Sequence, residues 1–255
     1  MSRLLWTLIG AARASVFVLW TLCLIGLMYV VRMTGRDNHT RWRRLQRLFR
    51  VWARVALCIM NVRLQVFGSP PQSPCLLASN HLGYLDIVVF AATFEATFVS
   101  KLEVASWPLL GPVVSLLGTI FVDREKPRDV ARVNALIQSA LDERRAVIVF
   151  PEGTSSDGQD VLPLRPSLLR AAEDGRHPLH YARLAYQTNA SAPNAGTSVC
   201  WWGDADFLPH AWGLFQLPRV DALLHFGAET VPSAHRKELA VQLHDRIRSL
   251  SNVMH

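Results

Sequence analysis

From Ala14 to Val31 the chain carries no charged side chain, and only Ser15, Thr21 and Gly26 interrupt the apolar run. A run of this length reaches the lower limit for crossing a bilayer, about 17 residues. A cleaved signal peptide is the competing reading. The run exceeds the roughly 7–15 residues of a signal-peptide core, however, and no Ala-x-Ala site follows it. The pattern changes between Arg41 and Asn61. Trp42, Leu45, Phe49, Trp52, Ala56 and Ile59 recur at steps of three and four, which predicts one apolar helix face. Arg43, Arg44, Arg47, Arg50 and Arg54 fall on the opposite face. An apolar stripe with an arginine-rich back suits a helix lying in the bilayer interface; a core-packing helix with a solvated back is the alternative. Residues 1–61 are thus expected to form a membrane-anchoring two-helix hairpin, turning at Gly35–Thr40.

Beyond residue 62, short apolar runs alternate with helical periodicity. The expected strands are 75–79, 96–100, 119–122, 146–150, 180–185, 198–202 and 221–226. Val147 to Phe150 is apolar throughout, the pattern of a strand buried on both faces. Helix 128–144 opens at Pro127, with Val130, Val133, Leu136, Ile137, Ala140 and Leu141 on one side. A closing helix over 235–250 gathers Leu239, Leu243, Ile247 and Leu250. Residues 187–197 form a polar loop. This alternation predicts an α/β fold: a central mixed sheet with flanking helices, over residues 62–255.

Charge sharpens the picture of the N-terminal part. The net charge is +7, and of 27 basic residues all but Lys101, Lys126 and Lys237 are arginine. Arg32, Arg36, Arg41, Arg43, Arg44, Arg47, Arg50 and Arg54 follow the apolar run, whereas Arg3 and Arg13 precede it. The positive-inside rule then puts the bulk of the chain on the cytoplasmic side. A basic cluster beside an apolar segment points to anionic lipid headgroups rather than nucleic acid. Cys23, Cys58, Cys75 and Cys200 are widely spaced, without any metal-ligand pattern, and are expected to be reduced.

Three clusters carry chemistry. Asn80-His81-Leu82-Gly83-Tyr84-Leu85-Asp86 sets a histidine and an aspartate five residues apart, after an expected strand. A carboxylate beside an imidazole fixes its tautomer and stabilises the imidazolium, which makes a general base. Gly118 to Arg124 would deliver a guanidinium at a strand end, suited to a phosphate or carboxylate. Phe150-Pro151-Glu152-Gly153-Thr154 follows the buried strand, with Pro151 ending it and Gly153 allowing a tight turn. Ligands of open α/β sheets bind at such strand ends.

Taken in order, these clusters resemble the membrane-bound glycerolipid acyltransferases, the lysophosphatidic acid acyltransferase family. Asn80, His81 and Asp86 match its first motif, Gly118, Phe121 and Arg124 its second, and Phe150 to Thr154 its third. Lys101, followed by Pro108 and Gly111, also stands at familiar positions. The resemblance covers about residues 62–230. It implies transfer of a fatty acyl group from a thioester to a lysolipid hydroxyl, most simply 1-acyl-glycerol-3-phosphate. His81 would be the base and Asp86 its partner. Arg124, Glu152, Gly153 and Thr154 would serve the acceptor headgroup; Glu152, an odd partner for an anion, would act through hydroxyl or backbone hydrogen bonds or through an arginine. Lys101 or backbone N–H groups near Gly153 would face the developing oxyanion.

Two departures bear on the acceptor. Ser155 stands where the third motif usually has arginine, and His180 to Ala185 lacks the proline of the fourth. Cys200-Trp201-Trp202-Gly203-Asp204 and Pro209-His210-Ala211-Trp212 resemble a bacterial branch that includes lyso-ornithine-lipid acyltransferases. No cofactor is expected; acyl-CoA or acyl-carrier protein would be the donor. The expected location is the inner membrane, with the catalytic domain on the cytoplasmic face. The rivals are a non-catalytic lipid-binding protein, a serine hydrolase and a metal site. The first has no need of the His81–Asp86 pair, the second lacks a Gly-x-Ser-x-Gly elbow, and the third lacks a second histidine at helical spacing.

Overall fold

The computed structural model describes residues 3–34, 37–123, 126 and 129–250. The chain opens with α1 (Arg3–Thr34) and α2 (Asn38–Ile59), followed by β1 (Val62–Phe67), β2 (Cys75–Ser79), α3 (Leu85–Thr93) and β3 (Thr97–Lys101). Next come α4 (Leu110–Leu116), β4 (Ile120–Val122), α5 (Asp129–Asp142), β5 (Ala146–Val149) and β6 (Leu179–Thr188). The last elements are α6 (Ala195–Ser198), α7 (Phe207–Gln216), β7 (Val220–Phe226) and α8 (Arg236–Ser249).

The sheet has seven strands in the order β1-β7-β6-β2-β5-β3-β4. Every neighbouring pair is parallel except β6 with β7, so the sheet is mixed, as expected. Alternate side chains of each strand divide between two cores, as the pleat requires. Cys75, Leu77, Ile148, Leu184 and Tyr186 face the helices α2, α3 and α7. Leu76, Ala78, Val147, Val149 and Tyr181 face α5 and α8.

The first two helices belong to the former core. Phe49, Trp52, Ala53 and Ala56 of α2 are at most 2% exposed, within one apolar cluster with α3 and the sheet. The apolar stripe of α2 is therefore covered by protein, and the interfacial placement expected for it is corrected to core packing. Its arginine face does point outward: Arg43, Arg44, Arg47 and Arg54 are exposed. Asp37 caps α2, accepting from the Thr40 N–H at 2.7 Å. The expected turn at Gly35–Thr40 includes two residues, 35 and 36, outside the described set.

Helix α1 is longer than the apolar run that announced it, 32 residues or about 48 Å at 1.5 Å per residue. One edge packs on the domain. The indole N–H of Trp20 donates to the carbonyl of Trp52, and that of Trp52 to Thr21 Oγ1. Arg13 donates to the carbonyls of Phe215 and Leu217 at the end of α7. The other faces, with Leu4, Leu8, Val16, Leu19, Leu22 and Val30, are exposed. Among the described residues it is the one helix long and apolar enough to cross a membrane.

Two further differences separate expectation from structure. Residues 198–202 are not a strand: α6 ends at Ser198, and the chain then runs as a loop. The loop is held by the Cys200 N–H donating to Ala195 O, and by the Trp201 N–H donating to Leu82 O. Strand β1, which pairs with β7, is missing from the expected strands, and α4, α6 and α7 from the expected helices. The four cysteines are free thiols, Cys75 and Cys200 buried and Cys23 and Cys58 exposed.

Candidate active site

The four parallel strands β2, β5, β3 and β4 end on the same side of the sheet. Their carboxyl ends deliver His81, Phe150, Lys101 and Asp123 to one cavity of about 450 Å³. This is the ligand side of an open α/β sheet.

His81 and Asp86 meet as the spacing predicted. Asp86 sits in the first turn of α3 and is fully buried. The chain between them turns at Gly83, whose φ of +147° disfavours an L side chain. His81 Nδ1 and Asp86 Oδ2 are 2.7 Å apart. A carboxylate can only accept, so Nδ1 carries the proton and Nε2 holds the free lone pair. The same Asp86 oxygen accepts from the backbone N–H groups of Leu82 at 2.7 Å and Gly83 at 3.1 Å. The imidazole stacks on Phe150, with ring centroids 4.3 Å apart and planes 20° apart. Clamped at its edge and on its face, it keeps a side-chain exposure of 22% toward the cavity, whose wall it joins.

Asn80 makes a strand-like pair without being in a strand. Its side-chain NH₂ donates to Leu184 O at 2.9 Å, and its carbonyl accepts from the Leu184 N–H at 2.8 Å. The β2 end is thereby locked to β6.

Glu152 makes backbone hydrogen bonds, one of the roles expected for it. It is 3% exposed and absent from the cavity wall. Its two oxygens accept from the N–H of His81 at 3.1 Å and of Leu162 at 3.0 Å. It ties the third motif to the first. Burial pushes its carboxyl up to about 7, against the pull of these two donors.

Gly153 and Thr154 do line the cavity. The Gly153 N–H donates to Phe150 O, so this amide is engaged in its own turn. Arg165 also lines the cavity and lies directly over Gly153. Lys101 lines it as well, its ammonium 5.4 Å from the Trp201 ring centroid. Arg124, the remaining expected headgroup ligand, lies outside the described residues.

Sequence reasoning missed the aromatic wall. Tyr84, Trp107 and Trp201 line the cavity, and Phe207 contacts all three rings. His210 Nε2 must donate to the carbonyl of Cys200, so its Nδ1 accepts from the Tyr84 hydroxyl at 2.9 Å. Burial lowers the His210 pKa and raises that of Tyr84, which keeps both neutral. Ser155 donates to the carbonyl of Trp201 at 2.6 Å, fixing the loop that replaces the expected strand. Nothing in the local sequence links residues 84, 107 and 201; the Trp201-Trp202 pair was the one visible signal.

Fold and site together define an acyltransferase, and the chain belongs to the acyltransferase family; a model described as "Acyltransferase" matches residues 62–181. Two names recur among its relatives. A protein of Brucella abortus named lyso-ornithine lipid O-acyltransferase is 32% identical over 222 residues, covering 82% of each chain. A protein of Neisseria gonorrhoeae named 1-acyl-sn-glycerol-3-phosphate acyltransferase is 27% identical over 199 residues, covering 76% of this chain and 77% of its own. The fold matches the crystal structure of the 1-acyl-sn-glycerophosphate acyltransferase PlsC from Thermotoga maritima. There the TM-score is 0.69 at 17% identity, over 97% of this chain and 95% of that one.

Proposed function

We propose that the protein transfers a fatty acyl group from a thioester to the free hydroxyl of a lysolipid, with His81 as general base. The observation that carries this is the 2.7 Å contact of His81 with the buried Asp86, at the wall of a largely apolar cavity. Nε2 takes the hydroxyl proton as the oxygen attacks the thioester carbon. A C–O bond forms, the C–S bond breaks, and the imidazolium returns the proton to the departing thiolate. Asp86 holds the imidazole throughout and stabilises its cationic form. General base catalysis of this kind contributes about 10²–10⁴-fold. Lys101 is the candidate cation for the developing oxyanion. The donor is an acyl thioester of coenzyme A or acyl-carrier protein.

Either acceptor offers an anionic group, a phosphate or a carboxylate, which suits the cationic side chains Arg165 and Lys101 in the cavity wall. Gly153 and Thr154 line the same cavity and would join the headgroup side; Arg124 is kept as a headgroup ligand on its match to the second motif alone. The first reading is 1-acyl-glycerol-3-phosphate, giving phosphatidic acid. The name of the Brucella abortus relative, and Ser155 at a position where arginine is usual, favour lyso-ornithine lipid as the second. Both would be offered to the purified enzyme in parallel, with products read by mass spectrometry. Faster formation of phosphatidic acid is expected; exclusive use of lyso-ornithine lipid would select the second reading.

The exposed apolar faces of α1 support residence at a membrane, and the excess of arginine after the apolar run favours the inner membrane with the domain on the cytoplasmic side. A helix tied along α2 and α7 enters the apolar layer by its exposed faces while its packed edge stays on protein.

A further inference from the structure

We propose that Tyr186 is a positioning residue of the reaction, a third member that holds Asp86 from the side opposite His81. The inference rests on the reading of His81 as base. Tyr186 lies near the end of β6, 100 residues from Asp86, and its hydroxyl donates to Asp86 Oδ1 at 2.8 Å. The other oxygen, Oδ2, takes the proton of His81 and the two backbone N–H groups. The buried carboxylate is thus held by donors on both oxygens. Tyr186 is the one side chain other than His81 that donates to it among the described residues. The Asn80–Leu184 pair sets the register that brings Tyr186 here. Leu184 and Tyr186 are two apart on β6, so they share a face.

Two consequences follow from the chemistry. The hydroxyl fixes the carboxylate plane, and with it the direction of the imidazole. It also draws off part of the carboxylate charge that faces the imidazole. Burial raises the Tyr186 pKa well above its ordinary value, so the hydroxyl stays a donor across the working range. The remaining ionisable neighbours are Tyr84, Cys200 and Glu152. Burial keeps Tyr84 and Cys200 neutral, the thiol pushed up to about 12. Glu152, pushed up to about 7, titrates in the range to be read. It is common to the proteins compared and contributes equally to both.

The test is the pH profile of kcat/KM for wild type and Tyr186→Phe in detergent-lipid micelles, with His81→Ala as control. Loss of one charge-assisted hydrogen bond should lower kcat by about tenfold or more. The acid limb should move upward by about half a pH unit or more, because a donor to the unprotonated pair has gone. Acceptor KM should change by less than about twofold, since Tyr186 does not line the cavity. In an Asp86→Asn background the same substitution should have little further effect. An unmoved acid limb with kcat within about twofold of wild type overturns the proposal. So does an equal loss with and without Asp86, which is what a filler of the core would give. Should Tyr186→Phe fail to fold, 3-fluorotyrosine at 186 keeps the shape with a stronger donor. The limb should then move downward, and an unmoved limb overturns the proposal. Wild-type turnover by His81→Ala would sink the reading of the base itself. An inactive His81→Ala beside an unaffected Tyr186→Phe would sink this inference alone.

Discussion

Arg165 lies across Gly153 so closely that a Cβ on residue 153 would stand 2.6 Å from Nε and 2.7 Å from Cδ. Gly153 also holds φ at +71°, a conformation L residues rarely adopt. The glycine of the third motif is therefore the seat on which a cavity cation rests.

Gly153→Ala should cost about 1–2 kcal/mol from its backbone conformation alone. It should also displace Arg165 and raise acceptor KM. Arg165→Ala should raise acceptor KM by about tenfold or more while leaving kcat closer to wild type. Acceptor titrations of the single and double variants check this. If Gly153→Ala raises KM just as much when Arg165 is already alanine, the displacement account is wrong.

His81→Ala should lose about 10²–10⁴-fold in kcat. Asp86→Asn should fall in the same range, because the amide keeps the shape but removes the charge that stabilises the imidazolium. Both proteins should melt cooperatively in detergent. Turnover within tenfold of wild type in either would remove that residue from the mechanism.

Glu152 should make stability depend on pH. Its carboxyl is pushed from 4.5 up to about 7 by burial. A group raised in the folded state contributes fully below its unfolded value and loses that contribution as pH rises through about 7. The loss is on the order of 3 kcal/mol at about 1.4 kcal/mol per unit. Thermal melts should therefore show falling stability between about pH 5 and 8, and a flatter dependence for Glu152→Gln. Parallel curves for the two proteins would mean that the carboxylate is satisfied by its two backbone donors.

Removing residues 1–61 should not release an intact soluble enzyme. Phe49, Trp52 and Ala53 are as buried as the strands beneath them, so the truncated chain would expose that core to water. The truncated protein should lack a cooperative melt even in detergent. Trp52→Ala in the full chain should cost about 3–5 kcal/mol. A well-folded, active 62–255 fragment would show that the core closes without α2.

Much of this was legible along the chain because the signals are local. The strands at 75–79 and 146–149, and the helices at 129–142 and 236–249, follow from periodicity within a few residues of expectation. The His81–Asp86 pair sits within a single turn, so its spacing already encodes its geometry. What failed depended on distant partners. The stripe of α2 reads alike whether lipid or α3 covers it. Trp201 lies in an apolar run that resembles a strand, but the Trp201 N–H goes to Leu82 O and not to a ladder. Tyr186 and Glu152 are assigned only once β6 and the turn after β5 stand beside the β2 end.

The link between Asn80 and Leu184 joins residues 104 positions apart in sequence. Contacts of such long separation form late in folding, after the entropy of closing the intervening loop has been met. During synthesis, then, a ribosome would have produced all three motifs before β6 emerged to fix the first of them. The nascent chain would carry all three motifs before Leu184, to which Asn80 of the first is tied, had been made.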